Sequence, residues 1–415
     1  MRRNRLFLAV VVVALATPLH AATEAPADTI SFPPREPYRS RLEEAITVPG
    51  RLAYLPLQLT AYGTRRLAAA IWEQRLLDRF KAYLTFADGR VGVRPLASTL
   101  RGSGARVFYN DLIGGADAEV TSTLGASSTK RQHHLLTLAV PTGVMVSARY
   151  ASEPNESFHG IGQVTSDADR TVFRQTDVHL QVSYAHKSRD PIALSWEVDY
   201  HSRDVGPGET EAHPSTIDKH TPDALPGLDT RAHFAEAGVQ VKGVFVDVPG
   251  SPTSGNRTRL KLAYSQSIDG DNFSHVEAGF RSEQFYELFY RRTIALELGG
   301  DWRFSPFDNE VPFYDLASLG GTEALTGFRR GRFRDRGLMY AIGRYKFPVW
   351  RLIEGTAFYE SGRTFHKVSD FTLSNWESSF GGGLRVWVPE GVVFEFAVAR
   401  SVELTRILFN FSTTF

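Results

Sequence analysis

The chain has 415 residues, with 47 lysines and arginines against 46 aspartates and glutamates and a formal net charge of +1. Near-neutrality removes any global attraction to nucleic acid. The complete lack of cysteine excludes a disulfide scaffold and any thiolate metal site, so stability must come from backbone pairing and packing.

Residues 1–21 read as an export signal. Arg2, Arg3 and Arg5 precede the apolar run Leu6 to Ala16, and small residues follow at Ala21 and Ala22. The run is too short to span a bilayer as a helix, which takes roughly 20 residues. Without those three arginines the mature chain is close to neutral.

Residues 22–89 read as a periplasmic tether followed by one amphipathic helix. Pro26, Pro33, Pro34, Pro37 and Pro49 interrupt regular structure. Beyond them Leu67, Ile71, Trp72, Leu76, Phe80 and Leu84 recur at helical spacing. The helix is expected to pack on the body of the protein or to lie on the membrane surface.

From about Arg90 the period becomes two. Val178, Leu180, Val182 and Tyr184 alternate with His179, Gln181 and Ser183, and Leu194, Trp196, Val198 and Tyr200 with Ser195, Glu197, Asp199 and His201. The same beat returns at Leu260 to Tyr264, Val276 to Phe280, Leu384 to Val388 and Val392 to Val398. Turn signals at Gly114–Gly115, Pro141, Arg189–Pro191, Asp269–Asp271 and Pro389–Gly391 divide the run into about sixteen strands.

A soluble sandwich also alternates, with its apolar face inside. A transmembrane barrel instead turns that face to lipid and puts charge around a lumen. Strands of about ten residues, aromatics at strand ends such as Tyr150, Tyr184, Tyr200, Trp302 and Trp350, and long loops at 204–230 and 305–336 favour the barrel. The predicted fold over residues 90–415 is therefore an all-β transmembrane antiparallel barrel.

The chain stops in RILFNFSTTF, an alternating strand. A closed barrel must pair its last strand with its first, leaving no open edge in hydrocarbon. Phe409, Phe411 and the terminal Phe415 resemble the signal read by the outer-membrane assembly machinery.

The stretch GGTEALTGFRRGRFRDRG joins Gly320 and Gly321 to Leu325, Thr326, Gly327 and Phe328, then to Arg329, Arg330, Arg332, Arg334 and Arg336. With FHGIGQ at Phe158 to Gln163, AFYESGRTF at Ala357 to Phe365 and GGGLRVWVPEG at Gly381 to Gly391, it resembles the surface-antigen barrel of the BamA/TamA superfamily of outer-membrane assembly and secretion proteins. The resemblance implies a loop folded into the lumen, whose arginine meets an acidic residue on the wall. Here Thr326 stands where that arginine would be. Either Arg329 or Arg330 takes over the contact with a wall carboxylate such as Glu360, or the loop is not locked. Residues 22–89 also leave no room for an array of POTRA repeats, so the match is to stand-alone barrels.

No catalytic constellation emerges. His133 and His134 point to opposite faces of an extended run and cannot share one metal, and neither a His-x-Ser-Asn nor a Gly-x-Ser-x-Gly arrangement is present. Glu197, Asp199, Glu277, Glu297, Glu360 and Glu395 read as lumenal charge balancing arginines. No enzyme activity, cofactor or metal is expected.

The expected function is a role in outer-membrane biogenesis, or in transport across the outer membrane of a Gram-negative bacterium. Expected partners are outer-membrane lipids, the barrel assembly machinery and an unidentified periplasmic protein. The alternatives are a diffusion channel whose arginine-rich loop favours anions and, behind it, an outer-membrane hydrolase.

Overall fold

The computed structural model describes residues 84–412, apart from 100–101, 113, 126–129, 187–190, 211, 271, 307–308, 322–323 and 390. The expected signal peptide, the amphipathic helix and Phe415 lie outside the described residues.

Sixteen antiparallel strands close into one barrel. The first four are β1 (Val91–Ser98), β2 (Gly102–Tyr109), β3 (Asp117–Leu124) and β4 (Gln132–Ala139). Longer strands follow: β5 (Val144–Phe158), β6 (Thr171–His186), β7 (Ile192–Pro207) and β8 (Arg231–Val246). The far wall continues with β9 (Gly255–Ser267), β10 (His275–Phe289), β11 (Arg292–Phe304) and β12 (Gly337–Trp350). The ring ends with β13 (Ile353–Phe365), β14 (Glu377–Val388), β15 (Gly391–Arg400) and β16 (Thr405–Ser412). A two-residue lead-in, Thr85–Phe86, pairs with the start of β1.

Strand length is not the uniform ten residues expected. It is eight residues in β1 to β4, sixteen in β6 to β8, and falls again to eight at β16. The periodicity is legible along each strand, but the loop-side ends of β5 to β7 pack Phe158, Phe173 and Val205 into a cluster with the long connections.

Alternation sets the faces. Leu180, Val198, Leu262 and Leu296 point outward and are at least half exposed, whereas Asp199, Glu297 and Glu360 point inward and are buried. The lumen is laced with ion pairs. Lys261 reaches Glu277 at 3.1 Å and both Glu197 and Glu236 at 3.5 Å, and Arg344 reaches Glu297 at 2.8 Å. No helix among the described residues is long and apolar enough to cross a membrane; the strands do the crossing.

One end carries the long connections 159–170, 208–230 and 305–336, and the other mostly tight turns. Tyr290 and Arg291 form one such turn with positive φ at both residues, the geometry that matches strand twist in a two-residue hairpin. Pro348 does not end its strand; it sits at a bulge in β12, between its pairing with Glu354 and that of Trp350 with Ile353, where a missing N–H is tolerated.

Closure falls to β16 and β1. Within the described residues they pair at three positions, Asn410 with Ser98, Phe411 with Ala97 and Ser412 with Leu96. Thr99 N–H adds a bond to the Phe409 carbonyl at 3.0 Å. Neighbouring strands on the far wall pair along their whole length, as β8 and β9 do from Val246–Gly255 to Phe234–Ser267.

Candidate functional site

The connection between β11 and β12 turns inward. Its arms, Ala317–Leu319 and Phe333–Asp335, form a short antiparallel ribbon. At the bend Gly320 has φ 102°, and a Cβ there would lie 2.2 Å from the Arg329 carbonyl oxygen. Only glycine fits that backbone. Past the bend Leu325 and Phe328 are fully buried, packed with Ala317, Leu319, Ala324, Phe333 and the β12 residues Leu338, Tyr340 and Ile342. This apolar cluster lies between loop and wall.

The Leu-Thr-Gly-Phe tetrapeptide makes the central contact. Thr326 donates to Glu360 Oε2 of β13 through its N–H, at 2.5 Å, and through its hydroxyl. Ser379 of β14 donates its hydroxyl to the same oxygen at 2.7 Å. Gly327 lies flat on the wall: a Cβ there would meet the Arg400 carbonyl carbon at 2.7 Å and the Ser401 nitrogen at 2.8 Å. Its carbonyl accepts from the Ser401 hydroxyl at 3.0 Å. A threonine can replace an arginine here because the backbone approaches closely enough for a short side chain to reach the carboxylate.

The arginines go elsewhere, which corrects the expectation that Arg329 or Arg330 would meet Glu360. Arg329 approaches Asp167 at 3.5 Å, and Arg330 approaches Glu153 at 3.3 Å and Glu156 at 3.7 Å. Arg334 pairs with Glu156 at 3.2 Å. Arg332, 2 % exposed, takes Glu403 at 2.7 Å, the Thr165 hydroxyl at 2.6 Å and the Thr165 carbonyl at 2.5 Å. A buried guanidinium costs several kcal/mol unless its donors are satisfied, and this one is.

Two further residues, one outside every motif and one inside FHGIGQ, complete the clamp. Arg406, on the closing strand β16, donates to the carbonyls of Gly321 at 3.3 Å and Thr326 at 3.1 Å, and to that of Phe328. His159, the buried histidine of FHGIGQ, holds Asp167 at 3.1 Å. Its pKa is pushed down to about 4 by burial and by the Arg332 guanidinium, against the pull of Asp167. The 159–170 loop also meets the inward loop backbone to backbone, Gly162 N–H to the Arg334 carbonyl at 2.7 Å. Phe409 packs edge-on to Phe394 at 5.4 Å, and Phe411 pairs with Phe394.

The opposite mouth is crossed as well. In the 247–254 turn, Gly250 N–H reaches the Pro389 carbonyl at 2.9 Å. There the Ser251 hydroxyl reaches Glu354 at 2.5 Å, and Lys346 donates to the Pro252 carbonyl at 2.5 Å.

A closed sixteen-stranded barrel that docks its own loop beside a short seam defines a distinct class of outer-membrane protein, and the sequence comparison agrees. Residues 246–415 match the Omp85 superfamily domain, and that match together with the barrel fold indicates the bacterial outer membrane. No curated protein matches the chain. Among solved structures, BamA from Haemophilus ducreyi lacking POTRA domains 1–3 is similar at a TM-score of 0.59 and 14 % identity, over 79 % of this chain and 70 % of that one. CdiB from Escherichia coli is similar at a TM-score of 0.52 and 11 % identity, over 80 % of this chain and 64 % of that one. At these identities the likeness is one of fold, and the chain spans less than two thirds of the CdiB structure.

Proposed function

We propose that this barrel serves outer-membrane biogenesis or transport across the outer membrane of a Gram-negative bacterium, with the seam between β16 and β1 as its moving part. The observation that carries the reading is the unequal height of the wall: strands β1 to β4, which lead away from the seam, have eight residues each, against sixteen in β6 to β8. A low wall thins the bilayer locally. Arg406 ties the closing strand to the inward loop, so loop docking and seam closure are coupled. The partners in this reading are lipids at the seam, a periplasmic protein, and the assembly machinery that reads Phe409, Phe411 and Phe415 when the barrel itself is inserted. No cofactor and no bond-breaking chemistry are required.

The test is a lock. Ser98→Cys with Asn410→Cys places two thiols at paired positions across the seam, within reach of a disulfide. In the host, oxidised double-cysteine protein should reproduce the envelope defect of a deletion, while the reduced form and both single variants complement. Full complementation by the locked barrel would overturn the reading.

A diffusion channel is the second reading, supported by the charged lumen. The loop arginines Arg329, Arg330, Arg332 and Arg334 each approach a carboxylate, which argues against an anion-selective constriction built from them. Sustained anion-selective currents from the intact barrel in a planar bilayer would restore it. Currents that arise only after removal of 320–336, or of that segment with 247–254, would favour the seam.

A further inference from the structure

We propose that His179, Asp199 and His201 form a binding site for a divalent transition cation, zinc above all, on the lumenal wall. Strands β6 and β7 set His179 directly opposite His201, with Asp199 two residues before His201 on the same face. Residues of the other parity, Leu180 and Val198, face lipid, while Asp199 and His201 are 6 % and 5 % exposed. All three side chains therefore project into the barrel from neighbouring rungs.

The distances suit coordination better than hydrogen bonding. One donor atom from each residue lies within 4.8 Å of the other two. Asp199 Oδ1 is 3.5 Å from His179 Nδ1 and 3.8 Å from His201 Nδ1, too long for good hydrogen bonds. Metal–ligand bonds of about 2.1 Å in a tetrahedron place ligand atoms roughly 3.4 Å apart, so a small rotation of side chains closes the site. The two imidazoles are stacked with centroids 4.8 Å apart and Phe234 stacks on the far side of His201 at 4.8 Å, so His179 is the ring that must turn to aim its in-plane lone pair at the shared ion.

Unsatisfied atoms point the same way. His179 Nε2 and His201 Nδ1 are buried and have no hydrogen-bond partner, a state that buried polar atoms rarely occupy. A cation at the cluster gives His201 Nδ1 a partner and is met by His179 through Nδ1, the nitrogen 3.5 Å from Asp199. Glu236 on β8 stands opposite Asp199 and is the next carboxylate along that rung; otherwise water fills the fourth position. Two arginines oppose a cation. Arg203 is held by Asp177 at 2.6 Å and by Asp315, which offsets its charge, and Arg149, opposite His179 on β5, is the remaining cost. Two imidazoles and one carboxylate select zinc, copper or nickel over magnesium or calcium.

The experiment uses the full-length barrel, purified without a polyhistidine tag and stripped with chelator. Titration with Zn²⁺ by calorimetry should give one equivalent per chain, and Co²⁺ should give the visible absorption of a low-coordinate site, bleached by Zn²⁺. Asp199→Asn and His201→Gln should each weaken binding by more than about tenfold, while His186→Gln, near the far end of β6, leaves it unchanged. Absence of stoichiometric binding, or binding that survives the Asp199→Asn/His201→Gln double variant, would mean that the cluster only fills the lumen, and would overturn the proposal. Folding is monitored by heat-modifiable migration. If His201→Gln fails to fold, the more exposed His179→Gln and the cobalt spectrum of the intact protein decide, and a spectrum without those bands is equally fatal.

Discussion

The two sides of this barrel are built to different specifications. At about 3.4 Å per residue and a tilt of about 40°, the eight-residue strands β1 to β4 rise roughly 21 Å, and the sixteen-residue strands β6 to β8 roughly 42 Å. A hydrocarbon layer is about 30 Å thick. The far wall overtops the membrane and supports loops, whereas the near wall, β1 to β4, falls short of it and leads to the seam with β16. The proposed function places its moving part on the low side and leaves the tall side to hold the ring.

The largest expected effect follows directly. In hydrogen exchange on the barrel in detergent or nanodiscs, β1 and β16 should exchange at least about 100-fold faster than β8 and β9, since protection tracks the free energy of local opening. Equal protection around the ring would break the comparison and remove the reason to regard the seam as mobile.

The second effect concerns how firmly the loop is fixed to the near wall. Arg332 and Arg334 are buried only while the loop is docked, so trypsin should spare them in the native barrel. Gly327→Ala drives a Cβ into the β15–β16 backbone and should raise cleavage at these arginines by about tenfold or more, because proteolysis follows the open population. Gly343→Ala on β12 is the control, since only Leu296 Cδ2 lies within reach, at 3.9 Å. Similar cleavage of both variants would show that the contact is incidental.

A smaller effect should appear with pH. The His159 pKa of about 4 lies below the ordinary 6.5, so an undocked loop binds a proton that the docked loop refuses. Docking is thus at full strength above about pH 6.5 and is lost progressively as pH falls toward 4. Asp167, Arg332 and Arg170 are the charges that act on the ring. Tryptic cleavage of the loop should not serve as the readout here, because the protease itself titrates; the mobility of a spin label attached beforehand at Ser401→Cys, read at pH 7.5, 5.5 and 4.5, does. His159→Gln should flatten the profile.

The sequence carried the fold further than the site. Period-two alternation with one apolar and one charged face is a direct imprint of lipid outside and lumen inside, so the barrel and its strand number were legible. Turns made by Tyr290–Arg291 leave no such imprint, since neither residue announces a positive φ. Strand length was obscured because the loop-side ends of β5 to β7 are covered by the long connections, where Phe158, Phe173 and Val205 pack against loop residues and not against lipid. Within the site, glycines and a buried tetrapeptide betrayed the loop. Partner identity depends on which strands face each other across the ring, and this is why Arg406 and the cluster of His179, Asp199 and His201 could not be anticipated. An Asp-x-His pair on one strand is a faint signal until register sets a second histidine opposite it.

The last predicted effect separates Thr326 from the carboxylate it contacts. Glu360 accepts three donors, the Thr326 N–H, the Thr326 hydroxyl and the Ser379 hydroxyl. Thr326→Val keeps the shape and the N–H bond and removes one hydroxyl, so it should cost about 1.5 kcal/mol, the lower end for a bond to a charged group. Glu360→Ala strands all three donors in a buried site and should cost roughly 3 kcal/mol. Denaturant titration of loop accessibility ranks the two. If Thr326→Val proved as damaging as Glu360→Ala, the hydroxyl and not the close approach of the backbone would hold the loop, and the near wall would depend on one side chain.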